Sequence, residues 1–474
     1  MADPKGFINI SRKEGGYRPV DERLGDYSEV EQTMHIDDRK LQASRCMDCG
    51  IPFCHWACPV GSKIPEWQDA LYKGEFKMAV DILQSTNSFP EITGRICPAP
   101  CEKSCVLAIH NESVTIRENE AAVIEQAFDR NLVNIRVPHK RTNKRVAIIG
   151  SGPAGLSVAD LLNQAGHYVT VFEKDNAIGG LLRYGIPDFK LNKKVIDRRL
   201  RLFEQEGVTF ITDSNIGINV LPEKLVTDFD AVVIAIGAGH PRNFTPDGRN
   251  LSGIHFAMDY LTQQNKVVKG ETIDALLRIN AKDKKVLVIG GGDTGSDCVG
   301  TANRQGAAKI TQIEIMPQPS VNRQANNPWP YWPATLRTSS SHEEGCERIW
   351  SVNTKRFIGD NGILTHTELV KVEWIKTDTG KTEMREIPGS EFLIETDLVF
   401  LSMGFLHPVH QGLVETLDLK LNKNGTIQIG SNHQTSVSKI FATGDAVKGA
   451  SLVVTAIAHA REVAVSVHKY LMEY

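Results

Sequence analysis

Hydrophobic positions follow two different periods along this chain, and the change between them lies near residue 140. In the first part, residues 65–83 and Ile116–Asp129 carry apolar side chains at roughly helical spacing, which predicts helices. Beyond it, short runs of β-branched residues alternate with glycine turns and helical stretches, the pattern of parallel α/β domains. The polar, basic, proline-containing segment 137–144 (VPHKRTNK) predicts a linker between the two parts.

The α/β pattern starts twice. Residues 144–155 read KRVAIIGSGPAG and residues 284–295 read KKVLVIGGGDTG, so the sequence predicts two similar nucleotide-binding domains. The predicted fold class is therefore α/β, with a helical amino-terminal domain followed by two Rossmann-like domains. Residues 327–333 (NPWPYWP) are incompatible with regular helix or sheet, because proline removes donors and fixes φ. We expect an ordered loop there, over a site or at an interface.

Composition narrows the class of protein. A chain of 474 residues, 41% hydrophobic and 23% charged, predicts a globular protein of two to three domains. A net charge of −3 gives no reason to expect nucleic acid. Residues 1–16 lack the apolar core of a signal peptide, and the apolar runs are too short for a membrane span. We therefore expect no membrane and a cytoplasmic or similarly reducing compartment.

Seven of the nine cysteines fall between Cys46 and Cys105. In a reducing compartment such a group favours a metal site over disulfides, and the odd number argues against simple pairing. Cys298 and Cys346 are isolated, and we interpret both as buried small hydrophobic residues.

The first glycine turn has the context that dinucleotide binding requires. Gly150, Gly152 and Gly155 follow a predicted strand and open a predicted helix, whose free N–H groups and positive dipole end would face phosphates. A second strand, Tyr168–Phe172, ends at Glu173, which is placed to accept hydrogen bonds from ribose hydroxyls. The alternative for Glu173 is a solvated strand end.

The second turn, Gly290, Gly292 and Gly295, repeats this logic after its own strand. The next strand, near residues 310–315, ends less clearly. Glu314 there favours NAD, whereas Arg323 a little further on is a candidate for the 2′-phosphate of NADP or an ordinary solvated arginine. The sequence leaves NADPH and NADH both open.

The carboxyl end indicates that one of the two nucleotides is a flavin. Residues 439–445 (KIFATGD) predict a short strand running into Gly444 and Asp445, with a helix starting near Leu452. Asp445 is a candidate for the ribityl chain, and the helix N-terminus would stabilise negative charge on a reduced flavin. Taken alone, Gly444-Asp445 is more often just a turn.

The clustered cysteines have the spacing of an electron-transfer site. They read Cys46-x2-Cys49-x4-Cys54-x3-Cys58-Pro and Cys97-Pro-x2-Cys101-x3-Cys105, which resembles ferredoxin-type cluster binding. Structural zinc is the alternative, but zinc has no redox role beside a flavin. Two [4Fe–4S] clusters need eight ligands, and the segment has seven cysteines, so either one cluster has a non-cysteine ligand or there is only one cluster. Residues 179–187 (GGLLRYGIP) contain no redox-active cysteine pair, so electrons must leave a flavin by another path.

These motifs together resemble the small (beta) subunits of glutamate synthases, which share their architecture with the electron-entry region of dihydropyrimidine dehydrogenase. The resemblance spans essentially the whole chain. It rests on residues 45–61 (RCMDCGIPFCHWACPVG), 94–105 (GRICPAPCEKSC), 146–155 (VAIIGSGPAG), 179–191 (GGLLRYGIPDFKL), 288–298 (VIGGGDTGSDC), 314–319 (EIMPQP), 327–333 (NPWPYWP) and 442–454 (ATGDAVKGASLVV).

The resemblance implies a helical iron–sulfur domain (1–143) and an FAD domain in two parts (144–245 and 405–474), interrupted by an NADPH domain (246–404). It implies two [4Fe–4S] clusters, one held by Cys46, Cys49, Cys54 and Cys105 and the other by Cys58, Cys97 and Cys101. In the related dehydrogenase an amide side chain completes the second cluster, and Glu120 occupies that position here. A helix-surface glutamate is the alternative for Glu120.

The resemblance also implies a function and a partner. The chain would oxidise NADPH at FAD and pass electrons to a large (alpha) subunit that carries the glutaminase and FMN sites and makes glutamate from glutamine and 2-oxoglutarate. The alternatives are the same module serving another acceptor, such as ferredoxin, sulfide or pyrimidine reduction, and a non-catalytic scaffold whose cysteines hold zinc. No catalytic acid or base is predicted. The expected cofactor-binding residues are Gly150, Gly152, Pro153, Ala154, Gly155, Glu173, Gly180, Leu181, Gly290, Gly292, Asp293, Thr294, Gly295, Arg323, Gly444 and Asp445.

Overall fold

The computed structural model describes residues 3–377 and 380–473. Its α-helices are, in chain order, α1 (Gly6–Asn9), α2 (Val20–Arg23), α3 (Ile36–Ala43), α4 (Phe53–Ala57), α5 (Ile64–Lys73), α6 (Phe76–Thr86), α7 (Pro90–Ile96), α8 (Pro100–Lys103), α9 (Ile116–Asp129), α10 (Pro153–Gln164), α11 (Leu181–Tyr184), α12 (Lys193–Gln205), α13 (Pro222–Asp228), α14 (Ala257–Val268), α15 (Asp293–Gln305), α16 (Ser340–Glu343), α17 (Leu413–Thr416), α18 (Asp445–Lys448) and α19 (Val453–Glu473).

The strands of the described residues form four sheets. In chain order they are β1 (Arg145–Ile149), β2 (Tyr168–Phe172), β3 (Thr209–Ile211), β4 (Ala231–Ile234), β5 (His240–Pro241), β6 (Ile254–Phe256), β7 (Lys285–Ile289), β8 (Lys309–Glu314), β9 (Glu347–Trp350), β10 (Val352–Asp360), β11 (Ile363–Lys376), β12 (Thr382–Glu386), β13 (Phe392–Glu395), β14 (Leu398–Leu401), β15 (Phe405–His407) and β16 (Ile440–Ala442).

The amino-terminal region is helical, as predicted. Its core is built on Trp67, Leu71, Val80 and Val123, which are fully buried. The predicted helix Ile116–Asp129 is confirmed as α9. The periodic stretch 65–83 is two helices rather than one, because Gly74 takes φ +76° and ends α5 in a left-handed cap.

Two parallel sheets follow, as the repeated pattern predicts. One has the order β16-β4-β1-β2-β3 and the other β6-β14-β7-β8-β9. The first sheet takes its edge strand β16 from the carboxyl end of the chain, after the second sheet is complete. Its helices α10 and α19 pack together over Leu156, Ile457 and Val463 in one buried cluster.

A four-stranded antiparallel sheet, β10-β11-β12 with β13 beside β11, was not predicted. It packs on the second parallel sheet, where Phe357 and Leu369 join the buried cluster around Leu287 and Leu401. The chain passes twice between the two parallel sheets, and the two connecting segments pair with each other as the short antiparallel strands β5 and β15. The rings of His240 and His407 on these strands are stacked with their centroids 4.6 Å apart.

The predicted boundary at 144 lies between α9 and the first strand β1, and those at 246 and 405 lie between strands of different sheets. The division into domains that they define stays our proposal. The outermost limits, residues 1 and 474, lie outside the described residues. Within residues 3–377 and 380–473, no helix combines the length and the apolar character needed to cross a bilayer.

Side-chain contacts join the regions. Between α7 and α12, the Arg199 guanidinium donates from Nε (2.6 Å) and Nη2 (2.9 Å) to the two carboxylate oxygens of Glu91, and both side chains are buried. Across the two parallel sheets, the Asn265 amide on α14 donates to the carbonyl oxygens of Tyr184 and Ile186 (3.0 and 3.1 Å).

Candidate cofactor and cluster sites

The first glycine turn fits a dinucleotide. Gly150 takes φ +101°, and a Cβ built there would lie 2.5 Å from the carbonyl oxygen of Ala235, so only glycine fits between the strands. A Cβ on Gly152 would meet nothing within 4 Å. The backbone of Gly152 therefore faces open space at the start of α10, where a pyrophosphate would approach the free N–H groups. Pro153, Ala154 and Gly155 form the first turn of that helix.

Glu173 lies directly after β2 and is buried against this turn. Its carboxylate accepts hydrogen bonds from the Ser151 backbone N–H (3.0 Å), the Ser151 hydroxyl and the Asp175 N–H (3.0 Å). An ionised carboxylate has about four acceptor sites, so capacity remains for a ribose hydroxyl.

Residues from distant segments converge on the same turn. A Cβ on Gly180 would lie 2.9 Å from the Gly152 Cα, and one on Gly444 would lie 2.7 Å from the Ala154 Cβ. Leu181 follows Gly180 at the start of α11 and is half exposed. Asp445 accepts a hydrogen bond from the Ser451 hydroxyl (2.7 Å), and burial raises the pKa of its carboxyl. The predicted flavin residues are therefore brought together.

The second turn repeats the geometry of the first. Gly290 takes φ +120° against the carbonyl of Ser402, and a Cβ on Gly292 would meet open space. Asp293, Thr294 and Gly295 open α15. Glu314 ends β8, and its carboxylate accepts hydrogen bonds from the N–H groups of Gly291 (2.7 Å) and Met316 (3.1 Å).

Arg323 is directed into the 327–333 loop. Its Nη1 donates to the carbonyl oxygens of Asn327 (3.2 Å) and Tyr331 (2.7 Å). The structure thus gives Arg323 two carbonyl partners in this loop.

The seven clustered cysteines are sorted into two groups, and all seven are free thiols. Cys46, Cys49, Cys54 and Cys105, the first cysteine set, line one small cavity with apolar neighbours such as Ile64 and Ile116. Cys58, Cys97 and Cys101, the second cysteine set, line another together with Glu120. Burial raises the pKa of Cys46 and of Cys97 to about 12. Converging soft donors in apolar pockets are the donor chemistry of iron–sulfur clusters.

Glu120 lines this second cavity from α9 and is only partly exposed. Its carboxylate accepts hydrogen bonds from the Thr93 hydroxyl and the Asn87 amide (3.2 Å), and burial raises its pKa to about 7. Glu120 therefore lines the same cavity as the three thiols of the second cysteine set.

The two cavities have different neighbours. The second is closed partly by Val454 at the start of α19, so it contacts the flavin-type sheet region. The first is lined only by residues of the helical region, and α4 at its edge contacts the 327–333 loop. There the Phe53 and Trp329 rings lie 4.6 Å apart, and the Ser104 hydroxyl donates to the Pro330 carbonyl (2.7 Å). The prediction that this segment is an ordered loop at an interface is confirmed.

Sequence reasoning missed several residues that shape these sites. Ser151 and Val454 lie inside the quoted motifs at positions that the motifs do not single out, and Asn265 lies outside them. The contacts of all three depend on tertiary packing. Of the two isolated cysteines, Cys298 is buried as expected, whereas Cys346 is only partly buried and donates from Sγ to the Glu347 carbonyl (3.3 Å).

Family models match two parts of the chain. Residues 144–460 match the pyridine nucleotide-disulphide oxidoreductases, and residues 23–132 match dihydropyrimidine dehydrogenase domain II, 4Fe-4S cluster. The chain is therefore an oxidoreductase with a flavoprotein-type fold and an iron–sulfur region.

Curated relatives match the chain end to end. It is 47% identical to "Glutamate synthase [NADPH] small chain" of Mycobacterium tuberculosis, covering 100% of this chain and 96% of that protein. The Bacillus subtilis protein of the same name is 42% identical over 100% of this chain and 99% of its own length. "Glutamate synthase [NADH]" of Saccharomyces cerevisiae is 42% identical over 99% of this chain, which covers 22% of the yeast protein.

Among solved structures, the fold is similar to that of Mycobacterium tuberculosis FprA in complex with NADPH. The TM-score is 0.56 at 17% identity, over 70% of this chain and 85% of FprA. At that identity the likeness shows the fold alone.

Proposed function

Because this chain belongs to the glutamate synthase small-chain family, we propose that it is the electron-input subunit of a glutamate synthase. It oxidises NADPH at FAD and delivers the electrons, by way of two [4Fe–4S] clusters, to a large subunit that makes L-glutamate from L-glutamine and 2-oxoglutarate. The observation that carries the proposal is the end-to-end match combined with two cysteine cavities beside a flavin-type sheet.

We assign FAD to the first glycine turn. When bound there, FAD would accept a hydride and release its electrons one at a time. Gly152 and the N-terminus of α10 would hold its pyrophosphate, and Glu173 would accept hydrogen bonds from its ribose. Gly180, Leu181, Gly444 and Asp445 would line the rest of its site. The converging segments support this assignment, since they come from three separate parts of the chain.

The nicotinamide dinucleotide is assigned to the second turn. Hydride transfer from the nicotinamide ring to the flavin ring requires stacking of the rings and exclusion of water more than an acid or a base. We therefore assign no residue as a general acid or base. The Asn265 amide on α14 donates to the carbonyl oxygens of Tyr184 and Ile186, which joins the region of the second turn to that of the first. That contact supports placing the two nucleotides in neighbouring parts of the fold.

The proposed cluster ligands are the cysteines and the glutamate that line the two cavities. We assign Cys46, Cys49, Cys54 and Cys105 to one cluster and Cys58, Cys97, Cys101 and Glu120 to the other. Contact of Val454 with the second cavity supports placing the second cysteine set nearer the flavin, with the first set as the exit.

The partner is proposed to be a large subunit with FMN and glutaminase sites, in the cytoplasm. The yeast relative supports a division of labour, because the region matching this chain is only 22% of that protein. The Mycobacterium tuberculosis and Bacillus subtilis relatives, matched over 96% and 99% of their own length, are named as small chains, which supports placing the remaining chemistry on a large subunit.

Anaerobic reduction is the direct test of this proposal. NADPH should bleach the flavin of the purified holoprotein, and glutamate should form from glutamine and 2-oxoglutarate only after addition of the large subunit. A flavin that neither nicotinamide bleaches would overturn the electron-input role. Glutamate formation by this chain alone would contradict the division of labour. Zinc without acid-labile sulfide would replace the clusters by a structural metal site.

A further inference from the structure

The two glycine turns share one hydrogen-bond pattern, and it extends to the acid at the end of the neighbouring strand. In the first, the Gly150 N–H donates to the Phe172 carbonyl (2.8 Å), and Glu173 follows. In the second, the Gly290 N–H donates to the Ile313 carbonyl (2.9 Å), and Glu314 follows. Glu314 thus has the same position relative to the second glycine turn as Glu173 has relative to the first.

The carboxylates also bind equivalent groups. Each accepts from the N–H of the residue between the first two glycines, Ser151 (3.0 Å) or Gly291 (2.7 Å). Each also accepts from the N–H two positions further along the chain, at Asp175 (3.0 Å) or Met316 (3.1 Å). Glu314 therefore lies where the adenosine ribose of a dinucleotide on the second turn would lie.

A carboxylate at that place distinguishes the two nicotinamide dinucleotides. It accepts hydrogen bonds from free 2′- and 3′-hydroxyls, but it repels a 2′-phosphate, which binds preferentially to arginine. The four residues after Glu314 are Ile315, Met316, Pro317 and Gln318, none of them basic. Arg323, the next basic side chain, has its Nη1 bonded to the carbonyls of Asn327 and Tyr331.

We propose that Glu314 is the residue that sets the nicotinamide preference of this protein. Its carboxylate binds the adenosine ribose hydroxyls, so that NADH is a substrate beside NADPH. The same charge weakens the binding of NADPH, because it repels the 2′-phosphate. This inference rests on the proposed function, because it assumes that the second turn binds the electron donor.

The test compares both nicotinamides on the holoprotein and on Glu314→Gln. Glutamine keeps an acceptor for the Gly291 N–H and removes the charge. We expect NADH to reduce the wild-type flavin, and the ratio of kcat/KM for NADPH to that for NADH to rise about tenfold or more in the variant, the scale of one charged hydrogen bond.

A binding measurement by calorimetry provides a readout independent of turnover. Titration with 2′,5′-ADP should give about tenfold tighter binding to Glu314→Gln than to wild type, whereas binding of 5′-ADP should not strengthen. The matched control is Glu347→Gln on the adjacent strand β9, where the glutamate pairs with Lys309 (2.9 Å). It removes one charge from the same sheet and should leave the ratio unchanged.

Three results would overturn the inference. The first is that NADH fails to reduce a flavin that NADPH reduces. The second is that a folded Glu314→Gln protein keeps the wild-type ratio of kcat/KM for NADPH to that for NADH. The third is that the wild-type protein binds 2′,5′-ADP more than about tenfold more tightly than it binds 5′-ADP. If Glu314→Gln fails to fold, the wild-type nicotinamide and binding comparisons still decide. Failure of both nicotinamides would instead reject the proposed function.

Discussion

At the scale of single residues, Glu120 is the side chain whose assignment has the clearest spectroscopic consequence. It faces the second cysteine set and is bonded to Thr93 and Asn87. Glu120→Ala should lower iron and acid-labile sulfide and alter one of two cluster signals in electron paramagnetic resonance, because one cluster would lack its fourth ligand. Glu120→Gln should retain more of that cluster, since the amide oxygen remains a donor.

The matched control for Glu120 is Asp129→Asn, a loss of charge at the exposed end of the same helix. It should leave both signals and the iron content unchanged. Equal iron content and identical spectra in Glu120→Ala and wild type would remove Glu120 from the ligand set.

Residue types in the sequence predicted a missing ligand but did not locate it. The chain supplies the count of seven clustered cysteines, and the eight positions follow from the two clusters that we propose. Choosing Glu120 required the family resemblance, because its approach to Cys58 and Cys97 depends on how α9 packs against α7. Spacing along the chain carries no information on that packing.

At the scale of elements, the contact between α7 and α12 ties the iron–sulfur region to the flavin-type sheet. Glu91→Gln would leave the buried Arg199 charge without a partner, which typically costs about 3–5 kcal/mol. We expect the urea midpoint to fall accordingly. The double variant Glu91→Met, Arg199→Met should recover part of the loss, because no buried charge remains.

A surface ion pair provides the control for this contact. Lys77 and Asp81 lie one turn apart on α6 with both side chains about half exposed. Lys77→Ala should cost at most about 0.5 kcal/mol. An equal midpoint shift in Lys77→Ala and Glu91→Gln would contradict a structural role for the α7–α12 pair.

Elements with strong periodicity were the predictable ones. The buried strands β1, β2 and β7 were visible as short β-branched runs before glycine turns, and α9 matched its pattern at both ends. The antiparallel sheet β10–β13 was missed because charged residues interrupt its strands, as in Lys355 and Arg356, and much of its surface is exposed. Its position depends on packing against the second parallel sheet.

At the scale of the whole molecule, the positions of the two cysteine sets predict an order of reduction. Cys97→Ser should spare flavin reduction by NADPH but block reduction of the first-set cluster, because the second set contacts the flavin region through Val454. Dithionite should still reduce that cluster. Cys49→Ser, in the first set, should leave the second-set cluster reducible by NADPH.

Stopped-flow absorbance with freeze-quenched paramagnetic resonance would measure both steps. Reduction of the first-set cluster by NADPH at the wild-type rate in a protein without the second-set cluster would contradict this order. Glu120→Ala provides an independent way to perturb the second cluster if Cys97→Ser does not fold.

The position of β16 has a consequence for how the protein is made. This edge strand, and α19 after it, complete the first parallel sheet only after the whole second sheet has been synthesised. On the ribosome, the amino-terminal helices and the inserted sheet emerge first and fold as units. The segments that carry Gly152 and Gly444 come together last, so we expect loading of the proposed FAD to wait for chain release. A nonsense codon shortly before Ile440 would yield a product that never acquires the yellow colour.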